Sequence, residues 1–251
     1  MKHLPVYPLI SFFIIIAIWA IVAKYSGFSA NVLPGPIIVM ESFKELILDG
    51  TLLKHSVASL YRVTMGFWLG VFLGIPLGII IGRIKLLKKL LNPVIQFIRP
   101  ISPLAWIPLA MLWFGIGDKP AIFLIFLSSF FPIVVASFIA VESINPIYFQ
   151  VAANFNLTRK ELVSKIIVPA IVPDLVTALR LTIAISWLVV VAAEMIAVQS
   201  GLGYLILDSR NALRMDYVMV GMIVIGIIGL MIDVTMYYIS QSESIVAAKV
   251  K

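Results

Sequence analysis

Glu194 is the only ionisable residue within the apolar stretch 181–198 of this 251-residue chain. A carboxyl group in such a stretch is costly to bury and turns toward a cavity or a partner. It is either protonated, hydrogen-bonded to neighbouring backbone, or paired with an arginine. Its charged form would repel an anion, which excludes it as an anion-binding group. Reactive side chains are otherwise scarce. There is no cysteine and there are only two histidines, His3 and His55. Disulfides, thiolate metal sites and thiol nucleophiles are excluded, a histidine-based metal site is poorly supplied, and no Ser/His/Asp set can be argued. None of the 15 glycines precedes a lysine, so the chain has no phosphate-binding P-loop. We expect no catalytic residue, no metal and no cofactor bound by this chain. If it moves a solute uphill with ATP, another chain binds the ATP.

Two further patterns carry physics. The run Arg99-Pro100-Ile101-Ser102-Pro103-Leu104-Ala105-Trp106-Ile107-Pro108 holds three prolines within nine residues. Each removes a backbone donor and clashes one turn back, so no unbroken helix can form. Carbonyls freed at membrane depth are tolerated only inside protein or beside a water-filled cavity. A kinked helix lining a pathway and a plain packing kink both satisfy this. Pro103, Trp106, Pro108, Ser186 and Glu194 are the candidate pathway residues. Trp113, beside Gly115, reads better as an interfacial anchor. In the second pattern Gly66, Gly70, Gly74, Gly78 and Gly82 recur at every fourth residue. On a helix they form a ridge without side chains that lets another backbone approach closely. The partner is a helix of the same chain or a second subunit.

These residues must be held by membrane-spanning elements. The composition is 62% hydrophobic and only 12% charged, against about a quarter charged in soluble domains. Six stretches are long enough to cross the hydrocarbon: 4–23, 63–82, 94–117, 120–141, 181–198 and 217–239. We therefore predict an all-α membrane protein with six transmembrane helices, in one transmembrane domain over 1–251. The first stretch has a basic start but is longer than a signal-peptide core, so it reads as a retained helix. The net charge of +7 would suggest nucleic acid in a soluble protein. Here the cations lie between apolar blocks, which points to anionic lipid headgroups and not to nucleic acid. With the N-terminus inside, 12 cations fall on inner segments and 7 on outer ones. That bias predicts both termini in the cytoplasm. The outer segment 24–62 contains an amphipathic stretch over 37–53 that is expected near the interface. The inner segment 142–180 carries Leu162, Val163, Ile166 and Ile167 at helical spacing, which predicts short amphipathic helices resting on something.

Within that segment, Gln150-Val151-Ala152-Ala153-Asn154-Phe155-Asn156-Leu157-Thr158-Arg159-Lys160-Glu161 continues to Ile167-Val168-Pro169. It resembles the EAA loop of binding-protein-dependent ABC transporter permeases. Counting back from Pro169, Gln150 stands where Glu is usual, Val151 where the first Ala is usual, and Val168 where Leu is usual. Asn156 replaces the glycine. Asn is the next-best residue for a left-handed turn that ends a short helix. Leu33-Pro34-Gly35-Pro36, Trp113-Phe114-Gly115-Ile116-Gly117, Ala192-Ala193-Glu194-Met195 and Ser200-Gly201-Leu202-Gly203-Tyr204-Leu205-Ile206 resemble the nitrate/sulfonate/taurine permease subfamily. The likeness covers about 33–240.

The resemblance implies a permease subunit of an importer for a small, anionic solute of sulfonate, nitrate or taurine type. It implies a multi-pass protein of the plasma or inner membrane and a second permease copy, as a homodimer. Two cytoplasmic ABC ATPase subunits and an extracytoplasmic solute-binding protein complete the assembly. A cytoplasmic coupling loop over 142–180, between helices 4 and 5, would dock on the ATPase. Gln150, Val151, Ala152, Ala153, Asn156, Leu157, Thr158, Arg159 and Pro169 would form the contact, with the Ala152–Ala153 pair, Asn156 and Leu157 packed against it. A gradient-driven secondary carrier working without an ATPase is the alternative. Inverted repeats and several deep charges would support it, and neither is evident. A membrane enzyme or scaffold would need a polar cluster at a span end, which is not visible in the sequence.

Overall fold

In hydrocarbon every backbone N–H and C=O must find its partner inside the protein, and a helix achieves this within one segment. A computed structural model describes residues 6–29 and 31–241, and these form helices joined by turns, without a strand. Lys2, Lys249 and Lys251, which enter the charge count above, lie outside the described residues, as does the start of the 4–23 stretch. The helices are α1 (Val6–Tyr25), α2 (Pro36–Leu48), α3 (Thr51–Arg83), α4 (Lys85–Ile98), α5 (Ile107–Phe114), α6 (Asp118–Glu142), α7 (Pro146–Asn154), α8 (Arg159–Leu162), α9 (Val168–Ala197), α10 (Leu202–Asn211) and α11 (Met215–Ser240).

Four helical runs among the described residues have the length and apolarity to cross a bilayer: α3, α6, the continuous run 159–197 and α11. A fifth is available if α4 and the 103–114 segment count as one broken span. Helix α1 is apolar, and its part Ile10–Tyr25 is shorter than these.

Three sequence-level boundaries are corrected by the fold. The stretch 94–117 is not one kinked helix: α4 and the 103–114 segment are bent by 86° across the break at 99–102. Ser102 accepts from the Leu104 N–H at 3.3 Å and opens a 3₁₀ turn over Pro103–Trp106. Pro108 then falls in the first turn of α5, where a missing N–H costs nothing. Within 142–180 the expected short helices are α7 and α8, but from Val168 on the segment is already α9. A π-turn at Val163–Ile167 leads into α9. It interrupts the α-type ladder beside Pro169, the residue that lacks a donor. The amphipathic stretch expected over 37–53 is α2, and it stops at Leu48 because Gly50, at φ +76°, turns the chain into α3.

The glycine ridge of α3 is filled by α6 of the same chain. A Cβ added at Gly66 would lie 2.6 Å from Ile125 Cβ, and one at Gly74 would lie 3.0 Å from Ile133 Cγ2. Gly82 faces Val141 in the same way at 2.9 Å, and Gly70 and Gly78 sit on Ser129 and Ser137. Both partners advance by four residues and in the same direction, so α3 and α6 run parallel. The serines return their hydroxyls to α6 itself: Ser129 Oγ donates to Ile125 O at 3.0 Å and Ser137 Oγ to Ile133 O at 2.7 Å. The seam therefore buries no unpaired hydroxyl, and dispersion contact between backbones holds it.

Gly70→Leu should separate α3 from α6 and lower the melting temperature of the detergent-purified protein steeply. Gly226→Ala, where an added Cβ meets nothing within 4 Å, should leave it unchanged or raise it, since alanine is the better helix former by up to about 1 kcal/mol. Equal melting of Gly70→Leu and the parent chain would refute the seam.

Candidate coupling turn, cleft and buried ion-pair knot

Asn156 has φ +51°, the left-handed value expected from its place in the sequence. It ends α7. Leu157 N donates to Ala152 O at 3.1 Å and Asn156 N donates to Ala153 O at 3.0 Å, which closes the last open carbonyls of the helix. Thr158 starts α8 at once. Its hydroxyl accepts from Glu161 N, and Thr158 N donates to Glu161 Oε2 at 3.0 Å. Two reciprocal caps thus make 154–158 a stiff corner. At the other end of α7, Asn145 Oδ1 accepts from Ile147 N at 3.0 Å. The Arg83 guanidinium stacks 4.2 Å from the Phe149 ring and ties α7 to the end of α3.

Gln150, Val151, Ala153, Asn156, Thr158 and Arg159 are exposed on this corner, and Leu157 is half-buried. Pro169 is exposed in the first turn of α9. Ala152 is the exception. It is 4% exposed and packs into its own chain, so it cannot meet another protein directly. A charge at Ala152 would first disturb the seating of α7. The residues that face outward instead are Ile147, Val151 and Phe155, one turn apart, with Phe155 76% exposed. Their spacing of four was readable in the sequence, but only the fold shows that this stripe has no cover among the described residues.

The pathway candidates divide. Pro103 and Trp106 line a cleft of about 250 Å³ together with Arg99, Ser128, Phe131 and Ile185. Ser186 lies behind it, fully buried, with its hydroxyl 3.3 Å from that of Ser128. Pro108 is not among the lining residues. Arg99, a cation at the mouth of the break, was counted in the sequence only as an inner-side charge.

Glu194 sits elsewhere, nine residues along α9 from Ile185, or roughly 13 Å at the helical rise. Its side chain is fully buried. Arg62 Nη1 donates to Glu194 Oε1 at 2.6 Å. Ser59 Oγ donates to Oε2 at 2.8 Å, and Gly203 N donates to the same oxygen at 3.0 Å. Arg62 is itself 2% exposed. Its Nε donates to Asp118 Oδ1 at 2.8 Å, its Nη1 also to Ser200 O at 2.7 Å, and its Nη2 to Ser200 Oγ. His55 Nδ1 accepts from Gly201 N at 2.9 Å, and Ser59 Oγ accepts from Leu202 N at 2.9 Å. Gly201, at φ +103°, presses on the Glu194 carboxyl and leaves no room for a Cβ. His55, Ser59 and Arg62 are spaced i, i+4, i+7 and form one polar stripe on α3. Sequence reasoning counted Arg62 with the outer segment 24–62 and missed this stripe; its periodicity was the available signal.

This knot joins α3, the start of α6, the end of α9 and the 198–203 turn. Removing one member of a buried pair leaves the other charge uncompensated, at a cost of about 3–5 kcal/mol. Arg62→Met should therefore lower the melting temperature sharply. Adding Glu194→Gln should recover part of the loss, because the amide oxygen still accepts from Ser59 and Gly203. A double variant no more stable than Arg62→Met would show that the charge is not the cause.

A bundle of long apolar helices with a capped, outward-facing corner has the architecture of a transporter membrane subunit. Residues 74–243 match the family described as the binding-protein-dependent transport system inner membrane component. The chain belongs to that family and is a multi-pass membrane permease. It is 37% identical over 220 residues to a Bacillus subtilis (strain 168) protein assigned as the aliphatic sulfonates transport permease SsuC, covering 88% of this chain and 80% of that one. It is 32% identical over 225 residues to the taurine transport system permease TauC of Escherichia coli (strain K12), covering 88% and 82%. With the nitrate import permease NrtB of Leptolyngbya laminosa the identity is 33% over 241 residues, covering 92% and 85%. Among solved structures, an inward-facing conformation of the MetNI methionine ABC transporter shares the fold, with a TM-score of 0.67 at 18% identity, covering 77% of this chain and 96% of that one.

Proposed function

We propose that this chain forms the membrane pathway of an ATP-driven importer for a small anion of sulfonate, taurine or nitrate type. The observation that carries this reading is the doubly capped corner at 154–158 with its bare apolar stripe, Ile147, Val151 and Phe155. A rigid corner with an uncovered apolar face suits docking into a groove on an ATPase, and a stiff corner transmits force where a floppy loop would absorb it. Two ATPase subunits bind there, on the cytoplasmic side. A second copy of this chain completes the pathway as a homodimer, and an extracytoplasmic solute-binding protein delivers cargo at the opposite face. Both termini then lie in the cytoplasm. Closure of the ATPases rocks the helices between inward-open and outward-open arrangements.

The substrate class rests on the names of the relatives and on the cleft. Among the described residues Arg99 is the only charged group lining it, beside Trp106 and the Ser128 hydroxyl. A guanidinium with a neighbouring hydroxyl suits a small oxyanion. Glu194 is sealed into the knot, so in this conformation the cleft carries no opposing negative charge from it. Its part in the cycle is to hold the 198–203 turn onto α3 while the helices move.

Two measurements test this. Phe155→Asp should abolish co-purification with the ATPase and ATP-dependent uptake into proteoliposomes, with the melting temperature unchanged because Phe155 is exposed. Full uptake by this variant, or uptake by the parent chain without any ATPase, would favour the gradient-driven carrier. Arg99→Gln should cut uptake of taurine or an alkanesulfonate at least tenfold while leaving ATPase binding intact. Unaltered uptake would remove Arg99 from the pathway.

A further inference from the structure

Helix α4 sorts its side chains onto three sides. Leu91 and Ile95 pack against α3 and α6 with Ile81, Val134 and Phe138. Leu86, Leu90, Val94 and Phe97 form an exposed apolar stripe, each at least half exposed. Lys85, Lys88, Lys89 and Asn92, at i, i+3, i+4 and i+7, line the remaining side. There they border an open cleft of about 430 Å³, closed at its edge by Pro93 and Glu142. Lys88 is committed to Glu142, with its ammonium 2.6 and 2.8 Å from the two carboxylate oxygens. Lys85 and Lys89 are exposed and have no carboxylate partner among the described residues. Asn92 Oδ1 is buried and has no donor among them. Two cations without a carboxylate partner, beside a bare apolar stripe, are short of a ligand that supplies both negative charge and apolar chains.

The position decides what that ligand is. Helix α4 begins where α3 ends, and Lys88 binds the last residue of α6. The cleft therefore lies where apolar spans leave the hydrocarbon, at the same end as α7. From there α4 climbs antiparallel along α6, with Lys88 beside Glu142 and Arg99 beside Phe131, so its cationic start stands at headgroup level and its bare apolar stripe runs on into the hydrocarbon. We propose that this cleft holds an anionic phospholipid of the phosphatidylglycerol type. Lys85 and Lys89 bind the phosphate, and the acyl chains lie along Leu86, Leu90, Val94 and Phe97. Neither a soluble anion nor an acidic protein surface would occupy both the cationic side and the apolar stripe. The site rests on the proposed function only for its leaflet, which is then the cytoplasmic one.

The test uses the full-length chain in detergent micelles, titrated with dioctanoyl phosphatidylglycerol, dioctanoyl phosphatidylcholine and inorganic phosphate, with bound lipid read by native mass spectrometry. Phosphatidylglycerol should bind at least tenfold more tightly than phosphatidylcholine. Each lysine near an anionic headgroup contributes about fivefold in affinity, so Lys85→Gln with Lys89→Gln should weaken it roughly 25-fold at an unchanged melting temperature. Equal binding of the two lipids, or unaltered binding by the double variant, would overturn the site. So would inorganic phosphate binding as tightly as the lipid, or a double variant that keeps the lipid but loses the ATPase. Because the chain has no cysteine, Lys85→Cys offers a single label for an impermeant maleimide in sealed vesicles. Labelling only from the cytoplasmic face supports the leaflet. Labelling from outside would overturn the orientation in the proposed function, and the micelle titration would stand apart from that result.

Discussion

Apolar side chains gain little by leaving lipid for protein, because both surroundings are hydrocarbon. Cohesion in this molecule must come from elsewhere, and close backbone approach is the main source. The α3–α6 seam is the clearest case. Five glycines on α3 meet Ile125, Ser129, Ile133, Ser137 and Val141 on α6, in one register over the whole contact. The register leaves the two helices parallel, so the intervening chain must return to the first end. It does so through α4, the 99–102 break and α5. The return is a consequence of the seam, and the break within it is set by the prolines at 100, 103 and 108.

The second source of cohesion is polar and local. Arg62 and Glu194 would each be intolerable alone at this burial, and together with Ser59, Ser200, Asp118 and the backbone of Gly203 they satisfy one another. The knot lies at the end of α3 opposite Arg83 and α7. Helix α3 joins the two ends. One end is locked to α6, α9 and the 198–203 turn, and the other is stacked through Arg83 on Phe149 of α7. Force applied at α7 therefore reaches a body of packed helices and not an isolated loop, which is the mechanical requirement of the proposed cycle. The ion pair Arg180–Asp233, at 2.9 Å, links α9 to α11 by a similar pairing.

Much of this was legible in the sequence, for reasons that lie in single residues. Apolar run length announces spans because hydrocarbon thickness is a fixed ruler. Asn156 stands where the resembled loop has glycine, and asparagine is the next-best residue for the left-handed turn expected there. The period of four in Gly66 to Gly82 announces a close contact, and three prolines in 100–108 announce a break, since each is a local steric fact. The family resemblance rested on such positions too, and membership follows from the wider likeness. What the sequence determined by itself is therefore the class of protein, the sites of its turns and breaks, and the residues that must touch something.

What they touch was decided only by tertiary structure. The ridge glycines did not name α6, and Glu194 did not name Arg62, which lies 132 residues away. Ala152 belonged to a recognised motif yet turned inward, while Phe155 beside it turned out. Run length also misjudged 94–117, because hydropathy sums residues without regard to an 86° bend. Partner choice and side-chain direction depend on the relative placement of whole helices. That placement is set by many contacts at once, so it leaves no mark on any short stretch of chain.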